Sequence, residues 1–298
     1  MDFVITIVID GLIDASWLFI VAVGLTLVFG VLNILNLAHG NLYAIGAYAA
    51  ASAVGWYFAG GNPPYFDYAV MLLSAVVVAV VLGPLLERGL LRLFYGRDEV
   101  LLVLVTYALF LILEDVTKLI WGVNPYYAYE PYGELGNVRI GNLAYVGYDF
   151  MLIGLAIVTG ILLWLGLNRT RSGKIVLAVI HDREISRAMG VNVTKVFVVA
   201  FSIGVFLAAL GGALTAPKIS VQPGISVTVI LLSFAVVVIG GLGSVEGAAI
   251  AALLVGLARS AAIHLMPEAE LFIVYLVMAG VLAFRPEGLF QRAQARKI

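Results

Sequence analysis

The chain has no cysteine and few charged residues among its 298 positions. Without cysteine there is no disulfide, no Cys-held iron–sulfur cluster and no thiolate-bound zinc. Charged residues make up 12% of the chain and hydrophobic residues 63%, whereas a soluble domain has about 25% and about 45–50%. Such a chain lacks the polar surface of a soluble enzyme and is too apolar to be disordered. Its composition predicts a multi-pass membrane protein.

Motifs for energy coupling and catalysis are missing as well. The nearest approach to a phosphate-binding P-loop is Gly173-Lys174, but Asn168 stands where the first glycine is required and Ile175 follows the lysine instead of Ser or Thr. The histidines lie in three separate regions, at His39, His181 and His264, and because they do not cluster in the sequence we expect no metal centre. No nucleophile–base pair for an intramembrane enzyme is evident. We expect a pore or permease, not an enzyme, with no metal or cofactor of its own.

Long apolar runs predict the fold. A helix needs about 20 apolar residues to cross the hydrocarbon layer, and these runs do not alternate with the period of two that barrel strands show. Nine candidates fall at roughly 8–31, 38–59, 69–91, 100–121, 149–167, 196–216, 225–242, 248–266 and 270–285. The last is short and the second begins at a polar break, so eight spans remain an alternative. We predict an all-α polytopic membrane protein of eight or nine transmembrane helices, forming one domain over residues 1–298.

The positions of the cations predict the orientation. In the nine-span arrangement thirteen of the 17 Lys and Arg residues fall on one side, which the positive-inside rule makes cytoplasmic. They are Arg88, Arg92, Arg97, Arg169, Arg171, Lys174, Arg183, Arg187, Lys195, Arg285, Arg292, Arg296 and Lys297. The N-terminus is then external and the C-terminus cytoplasmic, although losing one span would reverse the N-terminus.

The long loop 168–195, on the cation-rich side, contains signals for a short helix. Asp182 is suited to cap its start, and Glu184 places a negative charge in the first turn, where the helix dipole favours it. Gly190 suits the left-handed position that ends a helix. These residues predict a helix of about two turns.

One face of this helix is apolar, because Ile185, Ala188 and Met189 recur at i, i+3 and i+4. A helix so short is marginal alone in water, so this face must contact another surface. That surface is either the ends of the protein's own helices or a groove on a cytoplasmic partner.

On the opposite side, the loop 122–148 is rich in tyrosine and turn residues. It is either an interfacial aromatic belt or a docking surface for an external protein.

Several polar residues fall at the first two spans. Asn33, Asn36 and His39 recur at i, i+3 and i+6 and would share a face if the segment stayed helical, and Asn41 follows. They form either a capped turn at the membrane surface or the lining of a translocation pathway. Amides and a neutral imidazole would suit a zwitterionic or neutral polar solute.

Other intramembrane charges and glycines carry structural expectations. Glu114 and Lys118 have the spacing of an i, i+4 ion pair, and Arg259 requires a carboxylate partner, for which Asp10 and Asp14 are candidates. Small residues on the sixth span and the Gly-x-x-x-Gly of Gly243 and Gly247 predict close helix packing.

Several sequence blocks together resemble one family. They are Gly24–Gly40, Arg171-Ser172-Gly173, Val238–Ala248 and Phe284–Phe290. In addition, Glu184 and Gly190 match the two ends of the coupling-helix motif Glu-Ala-Ala-x-x-x-Gly, with Ile185 and Ser186 in place of the alanines. The chain resembles ABC importer permeases of the branched-chain amino acid (LivH-type) family.

The resemblance implies the ABC importer permease architecture and a set of partners. These are a homologous second permease subunit, two cytoplasmic ATPases that bind ATP and Mg, and an external substrate-binding protein, all at a bacterial-type inner membrane. It also implies that the helix from Glu184 to Gly190, capped by Asp182, docks on an ATPase.

The leading function is therefore ATP-driven import of branched-chain or related small amino acids. The alternative is a self-contained secondary transporter or channel for a small polar solute such as urea or an amide. That alternative would need an ion-coupling site within the chain, and copurification of ATPase subunits would discriminate between the two.

Overall fold

The computed structural model describes residues 2–290 of the chain. Its long helices are α1 (Asp2–Leu32), α2 (His39–Ala59), α3 (Asp67–Gly89), α4 (Glu99–Trp121), α6 (Gly147–Arg169), α9 (Val193–Thr215), α10 (Ile225–Gly240), α11 (Val245–Leu265) and α12 (Glu270–Phe284). Shorter elements are α5 (Glu130–Gly133), α7 (Arg171–His181), α8 (Arg183–Ala188), strands β1 (Asn137–Ile140) and β2 (Leu143–Val146), and 3-10 turns at Leu91–Phe94 and Pro267–Ala269. Each of the nine apolar segments corresponds to one long helix, which confirms the all-α membrane fold.

Seven of these helices are long and apolar enough to cross a membrane. Helix α10 is apolar but has only 16 residues. Helix α2 carries polar residues at its start and is packed against α3, α9 and α10. Because its neighbours shield it from lipid, α2 does not need an apolar surface of its own.

Three of the cations that contributed to the predicted orientation lie outside the described residues. They are Arg292, Arg296 and Lys297.

Helix α1 is the centre of the bundle. It packs against α6, α9, α10 and α11, and its stretch from Ile20 to Val23 is completely buried. By contrast, α4, α6 and α12 expose most of their apolar side chains, as helices facing lipid or another subunit would. The buried apolar surface therefore lies around α1 and α9, and the exposed apolar surface at the periphery.

Glycines allow α9 to lie against its neighbours. A side chain at Gly212 would collide with the carbonyl of Tyr43 in α2, and one at Gly46 of α2 would collide with the backbone of Ala209. Gly204 is likewise closed off by Val28 of α1. The prediction of a small-residue packing face on the sixth span is confirmed.

The Gly-x-x-x-Gly of Gly243 and Gly247 gives the predicted close packing, but Gly243 lies in a turn and the two glycines do not share one helix face. Gly243 lies in the turn between α10 and α11 with φ of 85°, a conformation that favours glycine. Gly247 instead closes against Gly240 at the end of α10. The spacing serves a tight helix–turn–helix connection in which Ser244 caps α11 by accepting from the Gly247 amide at 3.0 Å.

This turn is also held by the last described residues. The Leu289 amide donates to the Ile239 carbonyl at 2.8 Å, and the Phe290 amide donates to the Gly240 carbonyl at 3.1 Å. A side chain at Gly288 would collide with Gly241. Two sequence blocks far apart in the chain therefore form one contact.

The loop 122–148 at the opposite end has more structure than the turns that were expected. Strands β1 and β2 form an antiparallel hairpin. Tyr126 exchanges two backbone hydrogen bonds with Val221, at 2.8 and 3.0 Å. The loop is thus tied to the segment between α9 and α10.

Candidate functional site

Helix α8 forms where its capping residues predict it. The Asp182 carboxylate accepts from the Ile185 amide at 2.8 Å, and the Gly190 φ of 85° ends the turn. Glu184 lies in the first turn. Ser186 faces inward and is buried.

The apolar face of α8 is uncovered. Ile185 is 60% exposed and Met189 is 80% exposed, and Ala188 beside them is exposed as well. Within residues 2–290, this face does not pack on the protein's own helix ends, which was the first of the two alternatives. A projecting apolar face on a short helix fits the second alternative, a groove on a partner.

Helix α7 precedes α8 and was not predicted. The Thr170 hydroxyl caps it by accepting from the Gly173 amide at 3.0 Å, and Val179 is completely buried. The signals were available in the sequence, since Thr170 is a good capping residue and Val176, Val179 and Ile180 have the i, i+3, i+4 spacing of a helix face.

Arg183, the first residue of α8, is held by two other elements, α1 and α9. Its guanidinium donates to the Val31 carbonyl at the end of α1 at 3.1 Å. It also lies 5.1 Å from the ring centroid of Phe197 in α9. Tyr95 packs edge-on to the same ring and donates to the buried Glu87 carboxylate at 2.7 Å. Burial lowers the pKa of Arg183 from its ordinary value, but arginine remains charged in proteins.

The polar segment after α1 is not helical, so Asn33, Asn36 and His39 do not share a helix face. Asn33 has a φ of 55° and lies just after the last residue of α1, a left-handed position that asparagine tolerates better than most residues. The chain then runs irregularly to His39, where α2 begins. Asn33 is exposed, whereas Asn36, His39 and Asn41 are buried.

The buried members of this polar segment lie inside the bundle. The His39 Nε2 donates to the Val21 carbonyl in the middle of α1 at 3.0 Å. Both amide atoms of Asn36 and the Oδ1 of Asn41 have no hydrogen-bond partner among the described residues. The bundle therefore encloses these amides. Unpaired buried amides are costly, which makes these atoms candidates for contact with a further group.

Glu114 of α4 forms hydrogen bonds both with the start of α2 and with the start of α10. Its carboxylate accepts from Asn41 Nδ2 at 3.2 Å, from the Gly224 amide at 2.8 Å and from the Ser226 hydroxyl at 2.5 Å. The expected pair with Lys118 is wrong, because Lys118 contacts Asp115 at 3.3 Å. The three donors of Glu114 come from other elements, which the spacing along α4 does not reveal.

The carboxylate partner expected for Arg259 is present. Arg259 contacts Asp14 at 2.8 Å and also Glu270, to which its Nε donates at 2.6 Å. Asp10 instead contacts His264 at 2.8 Å. Asp10, Asp14 and His264 border a cleft of about 400 Å³ that Lys218 and Asp149 also line. Glu270 was not predicted as a partner, because nothing in the sequence indicates how α12 folds back on α11.

Comparison with known families identifies the family to which this chain belongs. A family model described as "Branched-chain amino acid transport system / permease component" matches residues 7–282. The chain belongs to this family. The permease is similar over nearly its whole length to characterised relatives. The branched-chain amino acid permease BraD of Pseudomonas aeruginosa is 26% identical and covers 97% of this chain and 96% of its own.

Two further relatives agree. The LivH permease of Escherichia coli is 22% identical over 97% of this chain and 96% of its own. The probable LivH permease of Methanocaldococcus jannaschii is 24% identical over 94% and 90%. The predicted LivH-type resemblance is thus confirmed, and the chain is a multi-pass permease component of an ABC transport system.

Proposed function

We propose that this permease is the translocation subunit of an ATP-driven importer for branched-chain or related small amino acids. The observation that carries the proposal is α8, a capped helix whose apolar face is exposed. An exposed apolar face on so short a helix becomes stable when a partner covers it. Asp182, Glu184, Ile185, Ala188, Met189 and Gly190 are then the residues that couple the permease to an ATPase.

The proposal includes a full set of partners. Residues 1–298 act as one permease domain with 168–195 as its coupling loop, and a homologous second permease subunit completes the pore. Two cytoplasmic ATPases bind ATP and Mg, and an external binding protein delivers the amino acid. The cation-rich end, with α7 and α8, is then cytoplasmic, as is the C-terminus.

The translocation route in this proposal passes the interruption between α1 and α2. Asn36, His39 and Asn41 supply amides and an imidazole without a fixed charge, which suits a zwitterion that must bind weakly and leave. Asn33 marks the hinge at the end of α1. Within residues 2–290, the buried amide atoms that lack hydrogen-bond partners can bond a passing solute or a rearranged backbone.

The coupling role is tested by Met189→Asp. An aspartate in the centre of an apolar contact loses the contact and buries a charge, so ATPase subunits should no longer copurify with the permease in detergent. Met266→Asp is the matched control, since Met266 is 62% exposed at the opposite end of the bundle. The variants are compared by the ATPase-to-permease ratio after size-exclusion chromatography and by ATP-dependent leucine uptake into vesicles.

Equal retention of the ATPases by both variants would contradict the coupling role. Uphill leucine uptake by the purified permease alone in liposomes, driven by an ion gradient, would favour the self-contained transporter. If neither happens and only Met189→Asp loses the ATPases, the importer proposal stands.

A further inference from the structure

Helix α1 ends without a cation of its own. Its last turn contains no basic residue, and its final carbonyls point out of the helix without intrahelical partners. The Asn33 amide satisfies the Phe29 carbonyl at 2.8 Å. The Val31 carbonyl receives its donor from Arg183, far along the chain in α8, at 3.1 Å. A guanidinium at this position also complements the negative end of the helix dipole.

The same arginine is fixed from the other side. Phe197 lies under its guanidinium, and Tyr95 packs against Phe197 and donates to the buried Glu87 of α3. A planar guanidinium can stack on an aromatic face and donate to a carbonyl at once. Arg183 is therefore a rigid connection between α8, α9 and the end of α1.

The end of α1 leads directly into the interruption described above. Asn33 follows α1 with its left-handed backbone, and the irregular segment then leads to Asn36 and His39. A helix end moves as a unit with the group that caps it, whereas an irregular segment absorbs changes in φ and ψ. A displacement of α8 thus reaches the buried polar segment through one hydrogen bond.

We propose that Arg183 is the positioning residue that transmits the movement of α8 to the interruption between α1 and α2. This inference rests on the proposed function and assigns a role that the exposed face of α8 does not have. The face binds the partner, and Arg183 passes the partner's movement on to α1. Loss of Arg183 then separates ATP hydrolysis from transport without separating the subunits.

The test uses the complete complex of permease subunits, ATPases and binding protein in proteoliposomes with radiolabelled leucine. The variants are Arg183→Gln and Arg183→Lys, and the control is Arg187→Gln, which removes an exposed arginine from the same short helix. ATP hydrolysis and leucine uptake are measured on the same vesicles. The readout is leucine transported per ATP hydrolysed, alongside the ATPase-to-permease ratio of the purified complex.

We expect Arg183→Gln to keep the ATPases bound and to lower leucine transported per ATP by roughly tenfold. This factor corresponds to the loss of one hydrogen bond to a charged group. Arg183→Lys should recover part of this ratio, because the ammonium still donates but does not stack as a plane. Arg187→Gln should match the wild-type ratio.

Three results would overturn the inference. One is an unchanged ratio in Arg183→Gln, and another is an equal loss in Arg187→Gln. The third is loss of the ATPases from Arg183→Gln, which would make Arg183 part of the docking contact or of the fold. A wild-type complex that binds no ATPase or takes up no leucine would instead reject the proposed function itself, and the inference with it.

Discussion

Gly212 lies at the closest approach of α9 to α2. Its missing side chain leaves room for the Tyr43 carbonyl, and the Tyr43 hydroxyl bonds Thr215 one turn further on at 2.5 Å. The contact is between two buried backbones, so neither helix has a flexible side chain that can give way. Packing at this point is therefore sensitive to a single methyl group.

We expect Gly212→Ala to destabilise the permease by about 1–3 kcal/mol, because the added methyl group forces two buried backbones apart. Gly55→Ala is the control, since a side chain at Gly55 of α2 meets nothing within 4 Å and alanine favours helix. Thermal unfolding in detergent measures both variants. Equal melting temperatures for the two would show that α2 and α9 do not lie as close as described.

Residues also differ in how far the sequence alone predicts their contacts. Asp182 and Gly190 act within their own helix, so the local pattern was sufficient to place both. Glu114 has its partners in α2 and at the start of α10, and Arg183 has its partner at the end of α1. These contacts depend on which helices meet in space, which the spacing along one helix does not reveal.

At the scale of the element, the ends of α8 are determined by its own sequence, but the described chain covers only one of its sides. Its caps determine where it begins and ends, but six residues are too few for a stable isolated helix. Within the described chain, Ser186 and Arg183 attach its inner side, and the outer side is left exposed. Helix α7 shows the converse, since its buried Val179 packs it against the bundle.

The end of α8 is open to a direct test. Gly190 has a φ of 85°, a conformation in which a β-branched side chain is strained. Gly190→Val should therefore lower ATP-driven uptake several-fold through a misplaced helix end, at a cost on the order of 1–3 kcal/mol, while the chain still inserts in the membrane.

The matched control for this change is Gly154→Val in α6, where a side chain meets open space. Uptake of radiolabelled leucine into vesicles and membrane content by immunoblot are measured together. Wild-type uptake by Gly190→Val would argue against a coupling role for α8.

At the scale of the whole molecule, composition and apolar runs were sufficient for the fold class, because lipid permits few backbone solutions. Helix α2 is the informative exception among the spans, since it is polar at its start and enclosed by neighbours. Asn33 has the spacing of a helical face with Asn36 and His39, but it follows the last residue of α1. The hydrophobic pattern cannot distinguish these cases, because burial against protein and burial in lipid both remove water.

The orientation of the whole bundle gives a prediction that the cysteine-free sequence makes easy to check. With the cation-rich end inside, a cysteine at Asn62 between α2 and α3 should react with a membrane-impermeant maleimide on intact cells. A cysteine at Arg187 should react only after permeabilisation. The unsubstituted chain has no cysteine and provides the background. Labelling of position 187 from outside would reverse the proposed topology.

The contact between the last described residues and the end of α10 sets an order for biogenesis. The Leu289 and Phe290 amides bond to the Ile239 and Gly240 carbonyls, which the ribosome makes some fifty residues earlier. The α10–α11 turn therefore stays incomplete until translation reaches the end of α12 and that helix has inserted. A chain truncated before this point would leave the Ile239 and Gly240 carbonyls at the end of α10 without these two donors.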